Sequence, residues 1–278
     1  MYLFIVTFII FSVIYWKYGI KYLNYSLYLW KREAEIMTLQ KYINYYEKNN
    51  GKVFFIVNRK CRCKKKFNNK VKCLKCRINN IINIESFNDW MKMLSCLKNY
   101  KNINLIIHSK GGDSNASDGC SKVLKNYQGN INVFIPEYAF SAGTVVALTG
   151  NNIFMNWYSF MGPVDAQMEY DFENEFSGSF STKYIKGLKD QKGCDGDKEY
   201  LQSSLAEAYH KEAEEYLRLI IGDNQNVEQI VEKMLNTKYS HEYNFTKKEL
   251  IDLQLPVKNC DVPSDIMQLF NMLQHIKH

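Results

Sequence analysis

Apolar residues recur along this chain with two different spacings. Short, continuous runs of mainly β-branched residues are typical of buried strands. Four such runs predict strands: Val53–Val57, Ile103–Ile107, Ile131–Ile135 and Ile153–Met155. Between them, apolar residues return every three or four positions, and Ser86 with Asp89 predicts the start of one helix. Strands that alternate with helices indicate an α/β fold with a parallel sheet.

The second half of the chain is organised differently. Residues Glu169 to Glu199 are polar and rich in Gly, Ser, Asp and Lys, with little periodicity, so we predict a mobile loop or an insertion. Amphipathic helices are predicted from Leu201 to Ile221 and from Val227 to Leu235.

The amino-terminal residues Met1 to Trp16 carry no charge and are mostly large and apolar. A bilayer span needs about 20 such residues, a length that is reached if Lys17 snorkels. We therefore predict a transmembrane anchor over residues 1–22. The alternative is a buried amino-terminal helix.

The anchor prediction also sets an orientation. Lysine, arginine and tyrosine residues follow the apolar run, which places the main domain in the cytoplasm and makes this a single-pass protein of the cell membrane. A membrane-proximal helix is expected over residues 23–50, ended by Asn49–Asn50–Gly51. Residues 51–278 form the main domain, with a Cys-rich basic insertion at 58–80.

The net charge of +7 is concentrated in that insertion. Ten of the 36 Lys and Arg residues lie between Arg59 and Arg77, which leaves 26 cations against 29 anions elsewhere. Because the basicity is local, nucleic-acid binding by the whole chain is not expected.

The same insertion holds a C-x-C pair and a C-x-x-C pair. Four thiolates at this spacing can bind one structural zinc ion. The candidate ligands are Cys61, Cys63, Cys73 and Cys76. The alternatives are unliganded or redox-active thiols, and a basic loop that contacts anionic lipid or RNA.

Two turns carry the candidate chemistry. Gly111–Gly112 follows the second predicted strand, and Ser141 follows the third. The carboxyl ends of parallel strands lie at one edge of a sheet, so these turns should meet. Ser141 is a candidate nucleophile or a simple helix cap. The glycine pair is a candidate oxyanion hole or a plain tight turn.

Three segments in order carry a family resemblance. His108-Ser109-Lys110-Gly111-Gly112, Tyr138 to Thr144, and Met161 to Gln167 together resemble the serine dehydrogenase proteinase family, which is related to Clp peptidases and signal-peptide peptidases. The resemblance covers roughly residues 30 to 258. It implies the crotonase/Clp-like β-α superhelix.

The resemblance also implies roles for individual residues. The amide of Ala142 becomes the second oxyanion donor, beside the Gly111–Gly112 turn. Asp165 occupies the position of the orienting carboxylate, and His241 that of the general base. The alternatives for the carboxylate are that Asp165 is only a structural turn residue, or that Asp171 takes the role. If the lysine-dependent mode of the signal-peptide peptidases applies, the base is instead Lys183 or Lys186. His108 is interpreted as a supporting residue.

We therefore expect a membrane-anchored serine endopeptidase that forms an acyl-enzyme on Ser141. It needs no catalytic cofactor, acts on unfolded or membrane-associated polypeptides, and assembles as a homo-oligomer. The alternatives are a crotonase-type enzyme acting on acyl-CoA and a catalytically inactive membrane scaffold of the same fold.

Overall fold

The computed structural model describes residues 2–57, 81–84, 86–112, 114–172, 176–183, 185, 187, 197–235 and 243–275. For residues 2–19 and 169–180, among others, it describes the backbone alone. The predicted basic insertion with Cys61, Cys63, Cys73 and Cys76 lies outside the described residues, as does His241.

Ten strands and eight helices are named here in chain order. The strands are β1 Lys52–Val57, β2 Ile81–Asn83, β3 Asn102–His108, β4 Asn130–Ile135, β5 Tyr138–Ala139, β6 Asn152–Met155, β7 Phe160–Met161, β8 Gln167–Phe172, β9 Phe176–Ser181 and β10 Phe245–Thr246. The helices are α1 Tyr2–Asn50, α2 Phe87–Leu97, α3 Ser114–Lys125, α4 Ala142–Ala147, α5 Asp197–Ile221, α6 Val227–Leu235, α7 Lys247–Asp252 and α8 Ser264–His275.

The main sheet has five parallel strands in the order β2-β1-β3-β4-β6. Ile103 of β3 pairs with Lys52 on one side and with Ile131 on the other. All four predicted strands are therefore confirmed. Because the strands are parallel, the residues that follow β3 and β4 leave the sheet at the same edge.

Successive side chains of these strands point to opposite faces, and both faces are covered. One face, with Phe54, Leu105 and Val133, packs in a core that includes residues of α2, α3 and α4. The other face, with Phe55 and Ile106, packs against α1 and α8. Burial on both sides explains why the strands read as mainly apolar runs in the sequence, interrupted by Asn104 and Asn132.

The amino-terminal region is one continuous helix. The segments predicted as an anchor and as a membrane-proximal helix are both part of α1, which ends before Gly51, as expected. Gly51 has φ +89°, and a Cβ there would lie 2.5 Å from the carbonyl oxygen of Asn102. The buried side chains of α1 include Leu39 and Ile43, as the helical spacing predicts.

A membrane span is not apparent in the part of the chain that the structure describes, where no helix is both long enough and apolar enough to cross a bilayer. Side chains over residues 2–19, which hold most of the predicted anchor, lie outside that part.

The polar stretch that follows the sheet contains a β-hairpin. Strands β8 and β9 pair antiparallel, with Met168 opposite Phe180 and Phe172 opposite Phe176. The prediction of a loop is therefore wrong for residues 169–172 and 176–181. Beyond the hairpin, α5 and α6 confirm the two predicted amphipathic helices.

Candidate active site

The Gly111–Gly112 turn and Ser141 lie in direct contact at the carboxyl edge of the sheet. Ser109, directly after β3, forms a parallel bridge with Ala139 of β5. This bridge places Gly111 against the serine: a Cβ on Gly111 would lie 2.7 Å from Ser141 Cβ and 3.2 Å from its Oγ. Only a residue without a side chain allows this approach, and the φ of +103° at Gly111 also favours glycine.

Ser141 has a strained backbone. Its φ of 50° and ψ of −120° lie outside the regions that residues with a side chain ordinarily adopt. It precedes α4, yet its side chain makes no capping hydrogen bond. Among the described residues, the hydroxyl has no hydrogen-bond partner. A sharp, strained turn that presents an unbonded hydroxyl is the geometry of an exposed nucleophile rather than of a helix cap.

The backbone N–H groups of the two turns differ in their hydrogen bonds. The Gly111 N–H donates to Ser109 Oγ at 3.1 Å. The N–H groups of Gly112 and Ala142 make no hydrogen bond to any described residue. Ala142 directly follows the serine and Gly112 directly follows Gly111, so both N–H groups belong to the two turns that meet here. Backbone donors in such a place are candidates to bind the oxygen anion of a tetrahedral intermediate.

A second buried hydroxyl connects the serine turn to the segment that carries Asp165. Thr144 Oγ1 contacts the carbonyl oxygens of Ala139 at 2.8 Å and of Gly162 at 2.9 Å. The Gly162 N–H also donates to the Ala139 carbonyl, at 2.9 Å. The chain leading to Asp165 therefore runs beside the strand that leads to Ser141.

Asp165 itself is buried, with 6% of its surface exposed. Its Oδ2 accepts a hydrogen bond from Gln167 Nε2 at 2.6 Å. No contact between Asp165 and Ser141 is present among the described residues. A third group is needed to join the two.

The segment that carries His241, residues 236–242, lies outside the described residues, but both of its flanks are held near Asp165. On one side, the Met234 carbonyl accepts from the Val164 N–H at 3.0 Å. On the other, Phe245 of β10 pairs with Met161 of β7. The alternative base Lys183 is half-buried, and Lys186 is not described.

The ring nitrogens of His108 lie close to side chains other than Ser141. Its Nε2 lies 2.9 Å from a carboxylate oxygen of Glu137, and its Nδ1 lies 3.0 Å from Gln274 Nε2 of α8. Burial lowers the pKa of His108, and the Glu137 carboxylate opposes that shift. The ring packs on Tyr138, with centroids 4.3 Å apart, and Tyr138 in turn stacks on Phe140.

Two polar residues of the site, Ser109 and Thr144, were not singled out by sequence reasoning. Both are almost completely buried and both bind backbone groups of the site turns. The available signal was their position, since a small hydroxyl residue beside a glycine turn often binds nearby backbone groups.

Metal ligands are not clustered in the part of the chain that the structure describes, where no group of His, Cys, Asp and Glu side chains could hold an ion. The proposed zinc ligands lie in the insertion outside it.

The parallel sheet and the serine turn at its carboxyl edge agree with the family resemblance seen in the sequence, and comparison with known families gives the same result. The chain belongs to the family of ClpP-like SDH-type serine proteinases, whose model it matches over residues 5–277.

Two curated relatives come from Methanocaldococcus jannaschii. The uncharacterized protein MJ1495 is 27% identical over 69% of this chain, and the uncharacterized protein MJ0137 is 28% identical over 69% of it. The matches span 63% and 65% of those two proteins, just under two thirds of their length.

Solved structures with a similar fold include two proteases. One is a mutant of the 1510-N membrane-bound stomatin-specific protease, with a TM-score of 0.44, 14% identity and coverage of 67% of this chain and 76% of that one. The other is the catalytic domain of the ClpP protease from Plasmodium falciparum, with a TM-score of 0.38, 13% identity and coverage of 80% and 91%.

Proposed function

We propose that this protein is a serine endopeptidase in which Ser141 attacks the peptide carbonyl and forms an acyl-enzyme. The observation that carries the proposal is the strained Ser141 turn, whose hydroxyl lies against Gly111 and has no hydrogen-bond partner among the described residues. The amides of Ala142, next to the serine, and of Gly112, next to Gly111, likewise make no hydrogen bond to a described residue. In this assignment Gly112 and Ala142 bind the oxyanion, and Gly111 provides the close approach.

His241 is proposed as the general base and Asp165 as the carboxylate that orients it. The anchoring of residues 234 and 245 beside residues 161–164 supports this pairing. The base takes the proton of the Ser141 hydroxyl during acylation and returns it to the leaving amine. Water then attacks the acyl-enzyme with the same residue as base, which releases the second product and restores the serine.

A fluorophosphonate probe tests the proposal, because such probes modify only an activated serine. We expect labelling of the wild-type protein, none of Ser141→Ala and strongly reduced labelling of His241→Ala. His275→Ala is the matched control. It replaces an exposed histidine on α8, so this variant should be labelled like the wild type. Absence of labelling in the wild type, or labelling that persists in Ser141→Ala, would contradict the peptidase assignment.

The identity of the base needs its own comparison. If Lys183→Ala or Lys186→Ala abolishes labelling while His241→Ala leaves it unchanged, the lysine-dependent arrangement replaces the histidine assignment. Asp165→Asn should slow labelling if the Asp165 carboxylate contacts the base. The histidine and lysine variants then show which residue that base is.

We also propose that residues 1–22 anchor the protein in the cell membrane with the catalytic domain in the cytoplasm. The uncharged apolar run supports this, as do the exposed Leu27 and Trp30 farther along α1, of which Trp30 is 70% exposed. Substrates would then be unfolded or membrane-associated polypeptides, and the protein would act as a homo-oligomer. Deletion of residues 1–22 should move the protein from the membrane fraction to the supernatant; retention in the membrane would contradict the anchor.

A structural zinc ion bound by Cys61, Cys63, Cys73 and Cys76 is proposed for the basic insertion. Metal analysis of Cys61→Ser and Cys76→Ser should show loss of zinc. The exposed Cys260, replaced by serine, serves as the matched control. Undiminished zinc in the first two variants would exclude this cluster.

A further inference from the structure

We propose that Ser109 is a positioning residue, whose hydroxyl sets the geometry of the oxyanion turn. This inference rests on the proposed function of Ser141. Ser109 directly follows β3 and is buried, with 1% of its surface exposed. Its backbone is fixed on both sides: its N–H donates to the Tyr138 carbonyl at 3.3 Å, and its carbonyl accepts from the Phe140 N–H at 2.9 Å.

The side chain of Ser109 closes the turn that follows it. Its Oγ accepts the Gly111 N–H at 3.1 Å and lies 3.4 Å from the Gly111 carbonyl oxygen. These contacts fix Gly111 at its φ of +103°, with its Cα against Ser141. They also occupy the Gly111 amide, so the Gly112 amide is the donor that remains for a substrate.

The same side chain touches the segment that holds the second donor. A Cβ built on Gly143 would lie 3.3 Å from Ser109 Cβ and 3.7 Å from its Oγ. Gly143 directly follows Ala142, whose amide is the second proposed oxyanion donor. One buried serine therefore binds one of the two proposed oxyanion segments and lies beside the other.

Removing the Ser109 hydroxyl should lower the rate at which Ser141 is covalently modified more than it lowers the affinity for the probe. The Gly111 amide would lose the Ser109 hydroxyl as acceptor, and the turn would then shift from the geometry that this contact sets. Because catalytic donors act only at a defined distance, a shift of about 1 Å at Gly112 can cost about 100-fold in rate. We expect the maximal rate of Ser141 modification to fall about 10- to 100-fold in Ser109→Ala, with the apparent affinity for the probe little changed.

Ser159 provides a matched control. It is also buried, its Oγ accepts the Asn156 N–H at 3.1 Å, and its hydroxyl contacts the Pro136 carbonyl at 2.8 Å. It closes a turn after β6 rather than the glycine turn. Ser159→Ala therefore also removes buried side-chain hydrogen bonds to the backbone, but it touches neither proposed donor.

The experiment measures the rate of fluorophosphonate labelling against probe concentration for the wild type, Ser109→Ala, Ser109→Cys and Ser159→Ala. Cysteine is somewhat larger than serine and is a weak acceptor, so this variant should also be labelled slowly, and it carries the test if the alanine variant does not fold. Ser159→Ala should label at the wild-type rate.

Two results would overturn the inference while leaving the proposed function in place. One is a folded Ser109→Ala or Ser109→Cys variant that labels at the wild-type rate. The other is an equal loss of rate in Ser159→Ala, which would make the effect one of general stability. A wild-type protein that is not labelled would instead overturn the proposed function and this inference with it.

Discussion

Replacing Gly111 with alanine should destabilise the fold and stop the modification of Ser141. The added methyl group would lie 2.7 Å from Ser141 Cβ, 3.1 Å from the Phe140 carbonyl oxygen and 3.2 Å from Ser141 Oγ. Two of these neighbours are backbone or Cβ atoms, which cannot move without moving the serine turn. The φ of +103° must also be held by a residue that disfavours it.

The magnitude follows from these two costs. An unfavourable backbone conformation costs about 1–3 kcal/mol, and overpacking of a well-packed site costs about 1–3 kcal/mol more. A loss of about 3 kcal/mol in the free energy of unfolding lowers the Tm of a chain of this size by roughly 6–12 °C. The methyl group also displaces the nucleophile, so even the folded variant should react with a probe at least about 100-fold more slowly.

Thermal unfolding and fluorophosphonate labelling, both in the same buffer, provide the assay. Gly119→Ala is the control, because a methyl group there meets nothing within 4 Å and the residue lies in α3. That variant should be unchanged or more stable by up to about 1 kcal/mol, since alanine favours a helix. A Gly111→Ala protein with the Tm and labelling rate of the wild type would refute the contact between the two turns.

Three further predictions concern stability. Ser141→Gly should abolish labelling yet raise the free energy of unfolding in urea by about 1 kcal/mol, because glycine tolerates the strained φ of 50°; a decrease would contradict the strain. Thr144→Val should cost about 1–3 kcal/mol in the same assay, because the Gly162 carbonyl loses its partner, and an unchanged value would exclude that role. Burial holds the pKa of His108 below its unfolded value of about 6.5, despite the nearby Glu137. Below that pH the unfolded state binds more protons than the folded state, so the stability of the fold should fall as the pH drops below about 6.5. Melting curves of His108→Gln should lack this part of the pH dependence; an identical pH profile would contradict it.

Local pattern was sufficient to predict four of the five strands of the parallel sheet; the short edge strand β2 was missed. The strand Ile131–Ile135 is largely buried on both faces, so four of its five residues are apolar and its position was clear. The meeting of the Gly111 and Ser141 turns could be predicted as well, because the strands that precede them are parallel neighbours. Their meeting at one edge is a consequence of topology rather than of sequence separation.

The hairpin of β8 and β9 was missed because its signal is weak. Met168, Tyr170 and Phe172 alternate along one strand and Phe176 and Phe180 along the other, but polar and glycine residues lie between them. A two-stranded pair outside the main sheet has no continuous apolar run to identify it. The alternation of large residues was the available signal.

The role of Ser109 could not be predicted for a different reason. A small hydroxyl residue beside a glycine turn indicates a contact with nearby backbone, but which amide it binds depends on the φ at Gly111, which the residue pattern does not specify. The proposed pairing of Asp165 with a base could not be predicted from the residues either, because it depends on where distant segments of the chain meet.

The most direct test of the account is to trap the acyl-enzyme. Reaction with p-nitrophenyl acetate, an activated ester, should release a burst of about one p-nitrophenolate per active site. An acid quench followed by peptide mapping should place the acetyl group on Ser141, with no burst in Ser141→Ala. A burst that persists in Ser141→Ala, or an acetyl group mapped to another residue, would contradict the assignment of Ser141 as the nucleophile.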